Sequence, residues 1–322
     1  MNVLDNKPQP QQKRQTIPNF RFEDGTTLDL QIAYWSMGAL NADGSNVLLV
    51  CHGASGSRDW ALPFCRPGGA FDPTTRLVVS VDLPGGGDSS RQRDNPHFPS
   101  HYSLRDLTNA MSVFLDAIGA KRHVVYSGVS VSTLIGFDLT ALRPDFIAAT
   151  ALWNCAVRCD GYAQGAIDAL VSILNLDSGP AGMSAAVQSF YPSLTGRDLL
   201  AVSSQTVRAQ ATQHIAKGWV ERWTASEIVA RYVGTISGDV TALHGGEIAL
   251  AQKLTRPLLL LPSSSDQLLP ATSILEYAKR LPSARTEVCK SDLGHQSTSA
   301  PAGSPEFIFY DSQTANFFRE FI

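Results

Sequence analysis

His123-Val-Val-Tyr-Ser-Gly-Val-Ser-Val-Ser132 carries an apolar run straight into Gly128-Val129-Ser130-Val131-Ser132, and residues 133–142 continue with helical spacing. A serine on a sharp strand-to-helix turn projects its hydroxyl above the sheet, and the strain of that turn requires small residues two positions before and two after it. Gly128 meets the requirement, and Ser132 stands where a second glycine is usual but is small enough to fit. The turn also sets Ser130 at a helix N-terminus, where free N–H groups and the helix dipole favour developing negative charge. Ser130 is therefore the candidate nucleophile. Gly-x-Ser-x-Ser alone is a weak signal, because small-residue turns are common; the strand before it, the helix after it and the strands still to come give it weight. A dinucleotide-binding loop is excluded, since the further glycines of that loop do not follow Gly128.

Outward from this segment, Val47-Leu-Leu-Val-Cys51, Leu77-Val-Val-Ser-Val81, residues 148–153 and Pro257-Leu-Leu-Leu-Leu261 have the near-continuous hydrophobicity of parallel strands covered on both faces. Leu104, Leu107, Met111 and Leu115 share one side of a helix over residues 104–115, and residues 314–322 read as a final helix. This alternation predicts an α/β architecture, with a mostly parallel central sheet flanked by helices. Phe22-Glu-Asp-Gly-Thr-Thr27 reads as a hairpin turn leading into an antiparallel strand over residues 28–35.

Residues 156–251 break the rhythm: they are helix-rich, with candidates at 163–174 and 201–223, and show no buried strand. They read as a helical cap inserted between two core strands. The alternative is a separate helical domain, and the return of strand and helix after Arg256 favours insertion. The expected organisation is a flexible tail over 1–16, rich in Gln, Pro, Lys and Asn, then core over 17–155, cap over 156–251 and core again over 252–322.

An activated serine needs a base and an acid, and for this type of turn they follow in the order acid, then histidine. Ser263-Ser-Ser-Asp266-Gln-Leu-Leu-Pro270 places Asp266 at the C-terminal end of a strand, the end that carries the site in open α/β sheets. A strand over residues 286–290 then leads through Ser291-Asp-Leu-Gly-His295. His295 would take the serine proton and return it to the leaving group, while Asp266 fixes the imidazole tautomer and stabilises the imidazolium. Asp292 is the substitute acid, disfavoured by lying only three residues from His295. A tetrahedral intermediate also needs two N–H donors. Val131 follows the nucleophile and supplies one; Ala54, in the small-residue loop His52-Gly-Ala-Ser-Gly56, is the choice for the other. His52 is expected to brace this loop. The remaining histidines form no ligand cluster, so no metal is expected.

Composition bounds the partners. The chain has 322 residues, 43% hydrophobic and 17% charged, with a net charge of −3. That excludes wholesale disorder and predicts no electrostatic footprint for nucleic acid or an anionic membrane. Five scattered cysteines, a polar N-terminal stretch without an apolar h-region and no bilayer-length apolar run point to a cytoplasmic protein.

With these segments in hand, the chain resembles the homoserine O-acetyltransferase-like branch of the α/β-hydrolase superfamily. Arg66-Pro-Gly-Gly-Ala-Phe-Asp-Pro73, Gly87-Asp-Ser-Ser90, Phe98-Pro-Ser-His-Tyr-Ser-Leu-Arg-Asp106, Gly128 to Ser132, Asp266-Gln-Leu-Leu-Pro270 and Gly294-His295 are similar to segments of that branch. The resemblance implies an α/β-hydrolase fold with an inserted helical cap. Trp219-Val-Glu-Arg222-Trp-Thr-Ala-Ser226 is similar to a segment whose arginine binds substrate, which implies that Arg222 faces the active-site tunnel; a solvent-facing cap arginine is the alternative. Ser132, Thr224, Ser226 and Gln296 depart from the branch, the last three by losing acidic or amide groups, and this argues against homoserine as the acceptor.

Three functions compete. The first is hydrolysis of a small-molecule ester or thioester; the second is O-acyl transfer, with acyl-CoA as a co-substrate and no other cofactor. The triad is common to both, and the departures tilt the reading toward hydrolysis. A non-catalytic ligand receptor is the third and predicts a broken triad, whereas all three members are present. The choice between monomer and homodimer is open at this stage.

Overall fold

The apolar runs become the inner strands of one eight-stranded sheet of order β1-β2-β4-β3-β5-β6-β7-β8. The strands are β1 Gln11–Arg21, β2 Thr27–Met37, β3 Val47–Cys51, β4 Leu77–Val81, β5 Val124–Val129, β6 Ile147–Trp153, β7 Leu258–Leu261 and β8 Ala284–Thr286, in a computed structural model that describes residues 9–321. β1 pairs antiparallel with β2, and β2 with β4; β3 to β8 pair in parallel. β3, β5 and β7 are buried along their whole length, as strands covered on both faces are.

Helices α1 Leu104–Ala117 and α2 Val131–Leu142 flank the parallel strands. Between β6 and β7 the chain forms α3 Gly161–Leu176, α4 Pro180–Leu194, α5 Arg197–Val202, α6 Gln205–Arg222, α7 Ala225–Arg231, α8 Val240–Leu243 and α9 Glu247–Lys253. None of these residues adds a strand to the sheet, and the segment is called the cap below. α10 Ala271–Ala278 and α11 Pro305–Arg319 follow β7 and β8.

Three expectations need correction. The tail expected over 1–16 is wrong for residues 11–16, which pair with β2 from Gln11↔Ser36 to Thr16↔Gln31; residues 1–8 lie outside the described residues. The cause is physical: β1 is an edge strand held by backbone hydrogen bonds, its side chains up to Gln15 stay mostly exposed, and so it carries no hydrophobic pattern. The strand expected over 286–290 is instead Ala284–Thr286, with Cys289 joined to Ser263 by an isolated bridge. The final helix begins at Pro305, where Ser304 caps it by accepting from the Phe307 N–H and proline occupies the first turn.

This topology places the functional loops. Cys51 of β3 pairs with Gly128 of β5, so the loops after both strands leave the sheet side by side. The chain goes from β3 to β4 on one flank and then to β5 on the other, and the crevice at such a reversal is where open α/β sheets hold ligands.

Candidate active site

Ser130 connects β5 to α2 with φ 57° and ψ −122°, a left-handed conformation that costs a non-glycine residue free energy and holds its side chain above the sheet. Gly128 is required by close approach: a Cβ there would lie 2.7 Å from the Ser132 carbonyl oxygen and 2.9 Å from the Tyr126 ring. Ser132, fully buried, uses its hydroxyl to donate to the His52 carbonyl and so ties α2 to the loop after β3.

His295 lies in a short 3-10 turn, Gly294–Ser299, and its Nε2 is 2.9 Å from Ser130 Oγ. Its Nδ1 is 2.7 Å from Asp266 Oδ2. The other carboxylate oxygen of Asp266 accepts from the N–H groups of Leu268 and Leu269, both at 2.9 Å, which fixes its plane. Asp292 is exposed and does not take the position on His295 that Asp266 occupies.

Ala54 and Val131 flank Ser130. A Cβ on Gly53 would lie 3.4 Å from Ser130 Cβ and 4.0 Å from its Oγ. Among the described residues neither the Ala54 nor the Val131 amide donates to another backbone group. The Gly53–Ala54 peptide is held from behind. The Gly53 carbonyl accepts from the Gly56 N–H at 3.1 Å and from His52 Nδ1, and in a trans peptide the Ala54 N–H then points the opposite way. The His52 tautomer follows from its other nitrogen: Nε2 accepts from the Leu83 N–H at 3.2 Å, so Nδ1 carries the hydrogen.

Burial, aided by the positive charges of Arg231 and Arg222 and opposed by Asp82, pushes the His52 pKa down to about 4. The unfolded value is about 6.5, so the neutral ring stabilises the fold fully above that pH, and the contribution is lost as pH falls from about 6.5 through 4. His52→Gln, which keeps a donor and an acceptor but cannot titrate there, is expected to flatten the urea-unfolding midpoint against pH across that window. Parallel wild-type and variant curves would refute it.

Sequence reasoning missed Arg231. It is fully buried at the end of α7 and donates to the Tyr102 hydroxyl at 2.9 Å and to the carbonyls of Pro84 at 2.6 Å, Leu83 at 3.2 Å and Ala54 at 3.4 Å. Its guanidinium also lies 5.4 Å from the Trp223 ring centre. The cap thereby grips both the loop after β3 and the loop after β4. An arginine in a partly apolar helix gives no pattern that reveals such contacts.

Ser130 and His295 open into a cleft of about 680 Å³. Leu194, Ile215, Trp219 and Tyr232 give it apolar walls, His214 of α6 adds a polar ring, and Lys217, Glu221 and Arg222 of the same helix add charge. Arg222 lines the cleft and is solvent-exposed, with Nε donating to the Gly218 carbonyl at 2.9 Å. Of the departures at 224, 226 and 296, only Gln296 lines the cleft; Thr224 instead caps α7 through its hydroxyl.

The sequence profile of the family described as alpha/beta hydrolase fold matches residues 46–296. A homoserine O-acetyltransferase of Salinibacter ruber is 28% identical over 335 residues, covering 87% of this chain and 91% of its own length. Among solved structures, the acetyl esterase MekB aligns with a TM-score of 0.87 at 18% identity, over 96% of this chain and 97% of that one. A homoserine O-acetyltransferase from Bacillus anthracis aligns with a TM-score of 0.82 at 16% identity, over 96% and 97% of the two chains. At these identities the structural likenesses speak for the fold.

Proposed function

The chain belongs to the α/β-hydrolase family, and from that premise we propose that it is a serine-nucleophile acyl-transfer enzyme, releasing the acyl group of a small-molecule ester or thioester to water. The observation that carries the reading is the hydrogen-bonded series Ser130 Oγ, His295 Nε2, His295 Nδ1, Asp266 Oδ2, with links of 2.9 and 2.7 Å. As Ser130 Oγ attacks the carbonyl carbon, His295 Nε2 takes its proton, and the buried Asp266 carboxylate stabilises the imidazolium. The oxyanion is met by the N–H groups of Ala54 and Val131. Collapse of the intermediate breaks the bond to the leaving alkoxide or thiolate, which receives the proton from His295. Water, deprotonated by the same nitrogen, then attacks the acyl-serine and frees the acid.

The second reading keeps the first half-reaction and replaces water by an alcohol, with acyl-CoA as donor. The relative from Salinibacter ruber favours it. Gln296, a neutral residue in the cleft where an acid is usual, argues against homoserine as that alcohol. Arg222, with its planar fork, suits a carboxylate or phosphate on the substrate. The free cysteines fit a reducing compartment such as the cytoplasm.

The test is p-nitrophenyl acetate, followed by intact mass and peptide mapping. A burst with acetyl mass on Ser130 is expected, and turnover without that adduct would remove the serine from the mechanism. Acetyl-CoA with a panel of alcohols then decides the acceptor: ester formation faster than acetate release turns the assignment to a transferase.

A further inference from the structure

The residue after the acid and the residue after the base reach the same place in the cap. Gln267 donates from its amide nitrogen to the carbonyls of Thr195, at 2.7 Å, and Pro192, at 3.1 Å. Gln296 donates to the Thr195 hydroxyl at 2.9 Å. That hydroxyl passes its own hydrogen to the Tyr191 carbonyl at 3.2 Å, so it is an acceptor toward Gln296 and a donor toward α4. Thr195 is 1% exposed, so these bonds are shielded from water.

The backbones are equally close. A Cβ on Gly196 would lie 2.2 Å from the Asp292 carbonyl oxygen and 2.8 Å from Ser265 Oγ. A Cβ on Gly294, at φ 65°, would lie 2.5 Å from the Gly196 nitrogen. Only glycine fits at either position. Ser265 completes the junction: its hydroxyl donates to the Ser291 carbonyl and accepts from the Gly294 N–H at 3.0 Å, binding the loop of Asp266 to the loop of His295. Leu194, one residue before Thr195, lines the cleft.

We propose that the cap segment 192–196, gripped by Gln267 and Gln296, is a strut that holds His295 in register with Asp266 and Ser130, so that the cap's position sets the reactivity of the triad. This rests on the serine reading above. Thr195, Gln267 and Gln296 are positioning residues, acting through the loops that carry the acid and the base. With the strut intact, His295 is held from the cap side as well as by Asp266. With it cut, the two loops keep their Ser265 link but lose their outer buttress, and the imidazole departs from the 2.9 Å contact with Ser130.

Thr195→Val removes the acceptor and the donor together at nearly constant volume, while Thr195→Ser keeps both. With p-nitrophenyl acetate, Thr195→Val and Gln296→Leu are expected to lower kcat about tenfold to a hundredfold, the scale of small misplacements of reacting groups. KM should stay within about twofold and the folded fraction by circular dichroism unchanged, because catalysis depends on a transition-state geometry that binding does not need. Phosphonylation of Ser130 by a fluorophosphonate should slow by the same factor, and Thr195→Ser should restore both rates. Wild-type kcat and labelling rate in both disruptive variants would overturn the strut, as would a loss matched by unfolding or one that appears only in KM. Wild-type enzyme that turns over while Ser130 stays unlabelled would instead overturn the serine reading, so the two failures are distinct.

Discussion

Ser130→Ala is expected to abolish the acyl-enzyme burst and to lower turnover by about 10⁴- to 10⁶-fold, the range found when the nucleophile of a triad is removed. What remains should come from the N–H groups of Ala54 and Val131 and from binding alone, which sustain about 10³–10⁴ over water in serine hydrolases. The fold should tolerate the change. The Ser130 hydroxyl has its side-chain contact with His295, and alanine keeps the same left-handed turn with no larger Cβ. A stability change of about 0.5–1.5 kcal/mol, the net worth of one hydrogen bond, is therefore anticipated. Circular dichroism and p-nitrophenyl acetate kinetics on one preparation separate the two effects. A variant that turns over at the wild-type rate means that another group carries the chemistry.

Arg231→Leu should have the largest effect on stability. Among the described residues the guanidinium supplies every hydrogen bond that the cap makes to the carbonyls of Leu83, Pro84 and Ala54, all in a buried environment. Each buried acceptor left without a donor costs about 1–3 kcal/mol, so stripping three carbonyls of their donor costs about 3 kcal/mol or more. Against a total stability of about 5–15 kcal/mol, that is enough to lower the urea midpoint sharply. Arg231→Lys should not rescue it, since an ammonium cannot reach carbonyls of both loops at once from a single point. Turnover of the surviving folded fraction should also fall, because the Ala54 carbonyl belongs to the loop whose N–H is proposed to meet the oxyanion. A midpoint within about 1 kcal/mol of wild type would show that water replaces the guanidinium at no cost.

The inner strands and the meeting of Ser130, His295 and Asp266 were legible because their signals are local. A strand covered on both faces is mostly apolar, and a strained turn must be flanked by small side chains. Gly128 could be read within its own segment, and the chain order acid-then-histidine needed only the positions of Asp266 and His295 along the chain. β1 was not legible, because an edge strand with polar faces is specified by its backbone partner and not by its own side chains. The roles of Arg231, Gln267 and Gln296 were hidden for a different reason. Each depends on where a helix of the cap comes to rest, and no periodicity encodes that position. Ser132 lies between these cases: its small size was readable as permission for the turn, but its hydroxyl bond to the His52 carbonyl became visible only with β3 and β5 side by side.

The place of the cap in the chain, between β6 and β7, has a consequence for synthesis on the ribosome. β6 emerges with no partner on its outer side, because β7 is separated from it by the whole cap. At roughly 5–20 residues per second that edge waits on the order of ten seconds, an interval in which an apolar strand can pair with another nascent chain. On the proposed mechanism the same order keeps the polypeptide chemically silent while it grows: Ser130 and the loop of Ala54 are complete early, but Asp266 and His295 are among the last parts made. On the proposed mechanism the serine thus acquires its base only after the last strand, β8, has been made, and a truncated product would carry the proposed nucleophile without the means to activate it.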